Sequence, residues 1–265
     1  MNHQMKLPYN MRPSTLEERK QFYSDLDMKI IKNWEKRDLV YAVIIGRHSD
    51  IYLEKYEEDR NIPLIIDKYK SLEQVKQKIL KFLPEGVYYD RNHYKDISLC
   101  HNYNLRKAWN WDNFLGQELA FDLDPENVNC PLHGSLQKRM NKGWGLSFCE
   151  KAFELIIENT INLYEKLTED YSKIKIVFSG RGFHIHVFDK EIIKLSRGER
   201  EKIAVKYSKY GIDKWVTSGE MRLIRLPYTL NGTASRIVKP LSKKELEEFN
   251  PEKDALPDFI KNKEK

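Results

Sequence analysis

The chain has 265 residues, with 46 Lys and Arg against 40 Asp and Glu, which gives a formal charge of +6. No apolar run approaches the length of a membrane-spanning helix, and the N-terminal residues lack the apolar core of a signal peptide, so we expect a cytoplasmic protein. Three cysteines, an odd number, exclude the disulfide framework of a small secreted protein. The mild basic excess fits a polyanionic partner such as nucleic acid but does not identify one.

The predicted elements mix helices and strands without a regular βαβ alternation. Two capping boxes, Ser14-Thr15-Leu16-Glu17 and Ser71-Leu72-Glu73-Gln74, predict the starts of helices that extend to about Trp34 and to just before Pro84. In chain order, strands are predicted over 39–45, 118–124, 174–179, 183–188 and 221–226, and the later helices over 147–167 and 197–209. This order favours an α+β fold over a doubly wound sheet.

A pair of carboxylates lies on the strand predicted over 118–124. Asp122 and Asp124 alternate with Phe121 and Leu123, so both carboxylates share one face while the apolar side chains face the core. Neighbouring carboxylates repel each other unless a cation lies between them, and Mg²⁺ and Mn²⁺ prefer oxygen ligands. The pair therefore predicts a divalent metal site. The alternative is a strand that ends in Asp-Pro, with the second aspartate capping a turn.

A glycine-rich turn follows in Phe178-Ser179-Gly180-Arg181-Gly182-Phe183-His184-Ile185-His186-Val187. Glycines allow the backbone to approach a ligand closely, and turn amides, the Ser179 hydroxyl and the Arg181 guanidinium could converge on a triphosphate. His184 and His186 share one face of the following strand. The alternative is a tight hairpin with surface histidines.

Two further segments carry charged residues in apolar surroundings. Asp213, in Gly211-Ile212-Asp213-Lys214-Trp215-Val216-Thr217, could complete a site of three carboxylates. Arg222 and Arg225 lie on the strand predicted over 221–226. Burying an arginine without a partner is costly, so each requires a carboxylate or a phosphate.

The ordered motifs F-D-L-D, S-G-R-G-F-H-I-H-V, I-D-K-W-V-T and R-L-I-R-L-P-Y-T-L-N-G resemble the archaeo-eukaryotic primase superfamily, above all the catalytic small subunit of DNA primase. The resemblance spans roughly residues 14 to 240. It implies the primase catalytic fold, with mixed and antiparallel sheets flanked by helices, over 1–242, followed by a charged C-terminal tail over 243–265. Only about 26 residues separate His186 from Asp213, so we expect a minimal form that lacks the helical subdomain of archaeal small subunits.

The resemblance also implies the roles of individual residues. The metal-binding triad for Mg²⁺ or Mn²⁺ would be Asp122, Asp124 and Asp213. The nucleotide-binding residues would be Arg37, Ser179, Arg181, His184, Arg225 and Asn231. Asn231 stands where the family usually has histidine, and the second motif has one residue fewer than usual between Ser179 and His184.

The three cysteines flank the catalytic strand. Cys130 and His133 follow it, and Cys149 begins the next long helix, an arrangement that resembles the primase zinc knuckle and implies a structural Zn²⁺ site within a small module at about 100–149. Cys100 is the favoured fourth ligand, and the adjacent His101 is the alternative. Without zinc, Cys149 would be a buried helix residue and Cys130 a loop residue.

The leading hypothesis is a metal-dependent primase-polymerase that makes short RNA or DNA primers on single-stranded DNA from NTPs or dNTPs. The alternatives are a repair or CRISPR-associated polymerase or terminal transferase of the same superfamily, and a non-catalytic nucleic-acid-binding module. A metal-dependent nuclease would share the carboxylates but would not explain Ser179, His184 or Arg225. We expect a nucleoid-associated protein, and the sequence leaves open a primase large subunit or another replication or repair protein as partner.

Overall fold

The computed structural model describes residues 6–100, 111–145 and 147–262. The α-helices of these residues are α1 Leu16–Asp25, α2 Met28–Trp34, α3 Leu72–Phe82, α4 Leu136–Asn141, α5 Glu150–Thr168, α6 Arg197–Lys206, α7 Lys214–Thr217, α8 Lys243–Glu247 and α9 Asp258–Lys261. The strands are β1 Tyr41–Ile44, β2 Leu64–Ile66, β3 Gly86–Asp90, β4 Asn92–Tyr94, β5 Phe114–Gln117, β6 Leu119–Leu123, β7 Ile174–Phe178, β8 Phe183–Val187, β9 Leu223–Arg225, β10 Leu230–Asn231, β11 Arg236–Ile237 and β12 Lys239–Leu241. This mixture confirms the predicted α+β class. Among the described helices, none has the length and apolar character needed to span a bilayer.

The chain divides into two compact units. The first contains the described residues of 1–12, 118–221 and 239–254, and the second contains those of 13–117, 222–238 and 255–265. Each unit has its own four-stranded sheet, with the order β12-β7-β8-β6 in the first and β2-β1-β3-β9 in the second.

The first unit is built on an entirely antiparallel sheet covered by the long helix α5. At the end of β6, Phe121 and Leu123 are fully buried while Asp122 between them is partly exposed, and the preceding Leu119 and Ala120 are both buried. Helix α5 turns Phe153 and Ile156 into the core against β7 and β8. The alternation over 121–123 is the one predicted from the sequence, and it places Asp122 at the partly exposed end of a face on which Glu118 and Ala120 are buried.

The second unit packs α1 and α2 against α3 beside its sheet. Arg19 of α1 is fully buried, and its guanidinium donates hydrogen bonds to the carbonyl oxygens of Ile45, Ile51 and Leu83. A buried arginine is costly unless its donors are paired, so these bonds tie the first helix to the loops at the end of β1 and α3.

The first predicted helix differs from the structure in two details. The capping box uses Thr15 and Glu18, one residue later than predicted. The expected continuous helix is interrupted after α1, because Leu26 is extended and the Asp27 side chain accepts a hydrogen bond from the Lys29 amide, which begins α2. The second capping residue is confirmed, since Ser71 caps α3 as predicted.

The predicted charged tail, residues 243–265, contains two short helices, α8 and α9, in its described part. Leu246 and Phe249 are buried in the first unit, where the Phe249 ring lies 4.6 Å from that of Phe178. Phe259 of α9 is buried in the second unit. These apolar residues interrupt the run of Lys and Glu, so the segment folds onto the protein instead of fraying.

Candidate active site

Backbone contacts bring the three predicted metal-binding aspartates together in the first unit. Asp122 lies on β6 and Asp124 directly after it. The amide of Asp213 donates a 2.7 Å hydrogen bond to the carbonyl oxygen of Asp122, and Ile212 forms an antiparallel bridge with Leu123. Asp213 also caps α7, because its carboxylate accepts a hydrogen bond from the Trp215 amide. Three partly exposed carboxylates therefore come from adjoining backbone segments.

His184 lies directly across the sheet from the first aspartate. In the antiparallel pairing of β6 with β8, Asp122 is opposite His184, and the Nε2 atom of this histidine is 3.4 Å from the Asp122 Oδ1 atom. The imidazole is buried, with 4% of the residue exposed. The sequence predicted His184 at the nucleotide, and the structure adds a contact with a predicted metal ligand.

The glycine-rich turn is closed by its own hydrogen bonds. The Ser179 amide donates to the Gly182 carbonyl at 2.8 Å, and the Gly182 amide donates to the Ser179 Oγ atom at 3.1 Å. Gly180 has a φ of 96°, a left-handed conformation that favours glycine. Gly182 lies so close to β6 that a Cβ atom there would be 2.7 Å from the Asp124 Oδ1 atom. The predicted nucleotide turn therefore packs directly on a predicted metal ligand.

Arg181, predicted to bind the nucleotide, is buried and paired within the protein. Its Nη2 atom lies 3.0 Å from both carboxylate oxygens of Glu126, which is also buried. Its guanidinium lies 5.5 Å from the centre of the Phe148 ring. Sequence reasoning missed Glu126, although its position two residues after Asp124 continues the alternation of acidic residues and could have indicated it.

A second carboxylate–histidine contact lies deeper in the same sheet. The Nδ1 atom of His186 is 2.5 Å from the Oε1 atom of Glu118, and both side chains are essentially inaccessible to solvent. The sequence analysis placed His186 on the same face as His184 but missed its partner. The sequence signal that could have found Glu118 is the period of two along the strand, which places Glu118, Ala120 and Asp122 on one face.

Cys130, His133 and Cys149 form a group in which one ligand atom of each lies within 4.8 Å of the others. The Sγ atom of Cys130 is 3.6 Å from the Cys149 Sγ atom and 3.6 Å from the His133 Nδ1 atom. A tetrahedral Zn²⁺ with Zn–S bonds of about 2.3 Å sets its sulfur ligands about 3.8 Å apart, so these side chains fit a metal ion. Burial, together with the neighbouring Cys130, raises the pKa of the Cys149 thiol.

Helix α4 connects this group to the active-site loop. The helix begins three residues after His133, and its buried Arg139 donates hydrogen bonds to the carbonyl oxygens of Pro125, Glu126 and Val128. The segment that carries the Cys/His group therefore also holds the loop that follows Asp124.

The predicted fourth zinc ligand lies in the other unit. Cys100 belongs to the second unit, where its Sγ atom lies 3.8 Å from the Asp96 carbonyl oxygen and 4.0 Å from the Asn113 Nδ2 atom. Burial raises the pKa of this thiol to about 12. His101, the alternative ligand, lies outside the described residues. The identity of a fourth ligand stays a prediction.

Two predicted nucleotide-binding residues of the second unit have structural partners. The Arg37 Nε atom lies 3.0 Å from the Glu35 Oε2 atom, and its Nη1 atom donates to the Asn92 carbonyl oxygen at 3.1 Å. Asn231 is fully buried, and its Oδ1 atom accepts hydrogen bonds from the amide and hydroxyl of Thr233. Both side chains hold local backbone in place.

Arg225 of β9 is different. Its guanidinium lies over the Tyr88 ring, 4.9 Å from the centre, and next to Gly86, where a Cβ atom would be 2.5 Å from the Nη1 atom. That Nη1 atom is buried and makes no hydrogen bond to any part of the chain that the structure describes. An unused guanidinium donor suits an anionic ligand.

The fold and the site together define a mixed α+β domain that carries three aspartates on and beside one edge strand of its first sheet. The structure is similar to the polymerase domain of Mycobacterium tuberculosis Ligase D in complex with DNA, with a TM-score of 0.54 and 12% sequence identity, over 94% of this chain and 88% of that chain. At this identity the likeness shows the fold.

Sequence comparison gives the family. The family described as DNA primase small subunit matches residues 121–210. An uncharacterized DNA primase small subunit-like protein of Archaeoglobus fulgidus is 53% identical over 262 residues, which cover 96% of this chain and 94% of that protein. The DNA primase small subunit PriS of Pyrobaculum calidifontis is 28% identical over 229 residues, 68% of this chain and 67% of that protein. The chain belongs to the archaeo-eukaryotic primase small subunit family, as its motifs predicted.

Proposed function

We propose that this chain is a template-directed nucleotidyltransferase that synthesises short RNA or DNA primers on single-stranded DNA. Family and fold support a primase or polymerase nucleotidyltransferase in general. The observation that carries the specific proposal is the contact of His184 with Asp122 beside the glycine-rich turn, with Asp213 hydrogen-bonded to the same strand. Carboxylate acceptors, an imidazole and backbone amides then lie at one edge of the sheet.

Asp122, Asp124 and Asp213 would hold Mg²⁺ or Mn²⁺. Their partly exposed carboxylates offer the oxygen ligands that these ions prefer. Such ions activate an attacking hydroxyl and stabilise the leaving pyrophosphate. The protein's part is to fix the carboxylates, through the β6–β8 pairing for Asp122 and through the α7 cap for Asp213.

The Ser179–His184 turn would receive the triphosphate. Arg37, Arg181 and Asn231 are hydrogen-bonded within the protein, so we propose that they support nucleotide binding indirectly. Arg37 and Asn231 would act through the backbone they hold, and Arg181 through the Glu126 carboxylate. The buried Arg225 Nη1 atom makes no hydrogen bond within the described residues, and we propose that it contacts a phosphate directly. For Arg225, the family resemblance is the basis for assigning it to the same nucleotide.

Cys130, His133 and Cys149 would bind a structural Zn²⁺, with Cys100 or His101 as the candidate fourth protein ligand. Two thiolates and an imidazole are ligands that Zn²⁺ prefers, and their spacing fits a tetrahedral ion. The bound metal would brace α4 and, through Arg139, the loop after Asp124.

The test is incubation of the protein with unprimed circular single-stranded DNA, labelled NTPs or dNTPs, and Mg²⁺ or Mn²⁺. We expect primer synthesis by the wild type and a loss on the order of 100-fold or more in Asp122→Asn, because the lost carboxylate charge weakens binding of the metal ion that would stabilise the reacting phosphates. Asp258→Asn is the matched control, since that carboxylate is 82% exposed and belongs to the surface helix α9. Equal activity of Asp122→Asn and wild type would refute the catalytic role.

A primed template in a parallel reaction separates the proposal from its nearest alternative. Extension of a primer without synthesis on the unprimed circle would identify a repair polymerase or terminal transferase of the same superfamily. DNA binding without any incorporation would identify a non-catalytic module.

A further inference from the structure

Glu118 and His186 form a fully buried pair directly behind the active site. The Nδ1 atom of His186 lies 2.5 Å from the Glu118 Oε1 atom, and the exposed fractions of the two side chains are 0% and 1%. In the register of β6 with β8, His186 is opposite Ala120 and His184 is opposite Asp122. The two carboxylate–imidazole contacts are therefore successive along one strand pair.

The buried pair is costly, and packing alone does not require it. Taking a carboxylate and an imidazole out of water costs several kcal/mol unless the geometry is good, and apolar residues of similar volume often stabilise a core as well or better. The opposite face of the same strands has an apolar core, with Phe121, Phe183 and Ile185 fully buried. A polar pair in this position points to a role other than filling volume.

The pair is held in a fixed orientation from two sides. The backbone carbonyl of Glu118 accepts a hydrogen bond of 3.3 Å from the buried Arg200 of α6. The His186 ring stacks on Phe188, with the ring centres 6.0 Å apart and an angle of 8° between the planes. The orientation of the His186 imidazole is thus fixed by the Glu118 carboxylate at one edge of the ring and by the Phe188 ring on one face.

The His186 imidazole in turn contacts the ring of His184. The rings of His186 and His184 are in an edge-to-face arrangement, with centres 5.7 Å apart and planes at 69°. His184 Nε2 then lies 3.4 Å from Asp122 Oδ1. A continuous row of side chains, Glu118–His186–His184–Asp122, leads from the core to a predicted metal ligand.

We propose that Glu118 and His186 are positioning residues that hold His184 against Asp122 and so fix the orientation of that carboxylate. This inference rests on the proposed function, because it assumes that Asp122 binds a divalent metal ion. Partners that orient metal ligands from behind commonly contribute about 10- to 100-fold to metal affinity or activity. Since both residues act through the same imidazole, their effects should not add.

The experiment measures Mn²⁺ binding by electron paramagnetic resonance in zinc-loaded protein, together with incorporation kinetics. The variants are Glu118→Gln, His186→Gln and the double variant, with Thr160→Val as the matched control. Thr160 is a fully buried polar residue of α5 in the same unit, and its hydroxyl donates a hydrogen bond along its own helix, to the Ile156 carbonyl oxygen. Asp122→Asn is measured as well, and the Mn²⁺ binding that disappears in this variant is assigned to the aspartate site.

We expect each single variant to weaken Mn²⁺ binding and to lower kcat about 10-fold, with little change in the KM for nucleotide. The double variant should be no worse than either single one, and Thr160→Val should bind and react as the wild type does. If Glu118→Gln does not fold, the His186→Gln comparison with Thr160→Val decides the question alone.

The inference is overturned if both single variants bind Mn²⁺ and turn over within twofold of wild type, or if Thr160→Val loses as much. Inactive wild-type protein that still binds Mn²⁺ at Asp122 would refute the proposed polymerase function, and Mn²⁺ affinity would still decide the positioning role. Wild-type protein without Mn²⁺ binding at Asp122 would overturn both.

Discussion

The substitution Gly182→Ala would force a methyl group between the glycine-rich turn and the end of β6. An alanine Cβ atom would lie 2.3 Å from the Leu123 carbonyl oxygen, 2.7 Å from the Asp124 Oδ1 atom and 3.0 Å from the Asp124 Cα atom. Ordinary contact begins at 3.4 Å, so the turn and the strand must separate by roughly 1 Å. Two of the three obstructing atoms belong to the backbone and cannot rotate away.

The expected cost follows from that displacement. A shift of about 1 Å in the placement of reacting groups can lower a rate about 100-fold. Overpacking of a filled site typically costs about 1–3 kcal/mol in the free energy of unfolding. We therefore expect Gly182→Ala to fold with reduced stability and to lose about 100-fold in kcat.

The assay is incorporation on unprimed single-stranded DNA, with urea unfolding of the same samples. Gly198→Ala is the matched control, because Gly198 lies in α6 and a Cβ atom there would meet nothing within 4 Å. That control should keep full activity and gain about 0.4–1 kcal/mol in stability. If Gly182→Ala keeps the kcat of the wild type, the close packing of the turn on Asp124 is not needed for catalysis. That result would refute the expected effect of the steric clash.

Three further outcomes concern the buried ion pair and the predicted zinc ligands. Glu126→Ala should lower the free energy of unfolding by about 3–5 kcal/mol in urea titrations, because Arg181 loses its buried carboxylate; a change below about 1 kcal/mol would contradict this pairing. Cys130→Ser should remove the bound zinc in elemental analysis, and undiminished zinc would exclude Cys130 as a ligand. Cys100→Ser should lower zinc occupancy or affinity if Cys100 is the fourth ligand, and unchanged binding would exclude it.

The sequence was sufficient where local periodicity determines structure. Alternation of aspartates with Phe121 and Leu123 predicted that these two apolar side chains are buried, and they are, although Glu118 and Ala120 on the aspartate face are buried as well. The glycine-rich turn was predicted between two apolar runs, and β7 and β8 end and begin on either side of it. Both features depend on residues within a few positions of one another, so pattern alone defines them.

The partners of the site residues depend on tertiary register instead. His184 is opposite Asp122 only because β6 pairs antiparallel with β8 in one particular register, and a shift of one residue would place an apolar side chain there. Glu126 and Arg181 are 55 positions apart, and Glu118 and His186 are 68 positions apart. No local pattern identifies such pairs. The division into two units escaped prediction for the same reason, since each unit combines distant segments.

The family motifs identify which residues matter, but the pairing of each residue decides what it can do. Arg181 matches the nucleotide motif, yet its guanidinium binds Glu126, and exchanging that carboxylate for a phosphate would leave a buried carboxylate without its partner. The Arg225 Nη1 atom has no such partner in the described chain, so binding a phosphate there breaks no existing bond. The same reasoning applies to the buried row behind the site. A charge already neutralised within the protein contributes most by holding its neighbours, which is the role we infer for Glu118 and His186 toward Asp122.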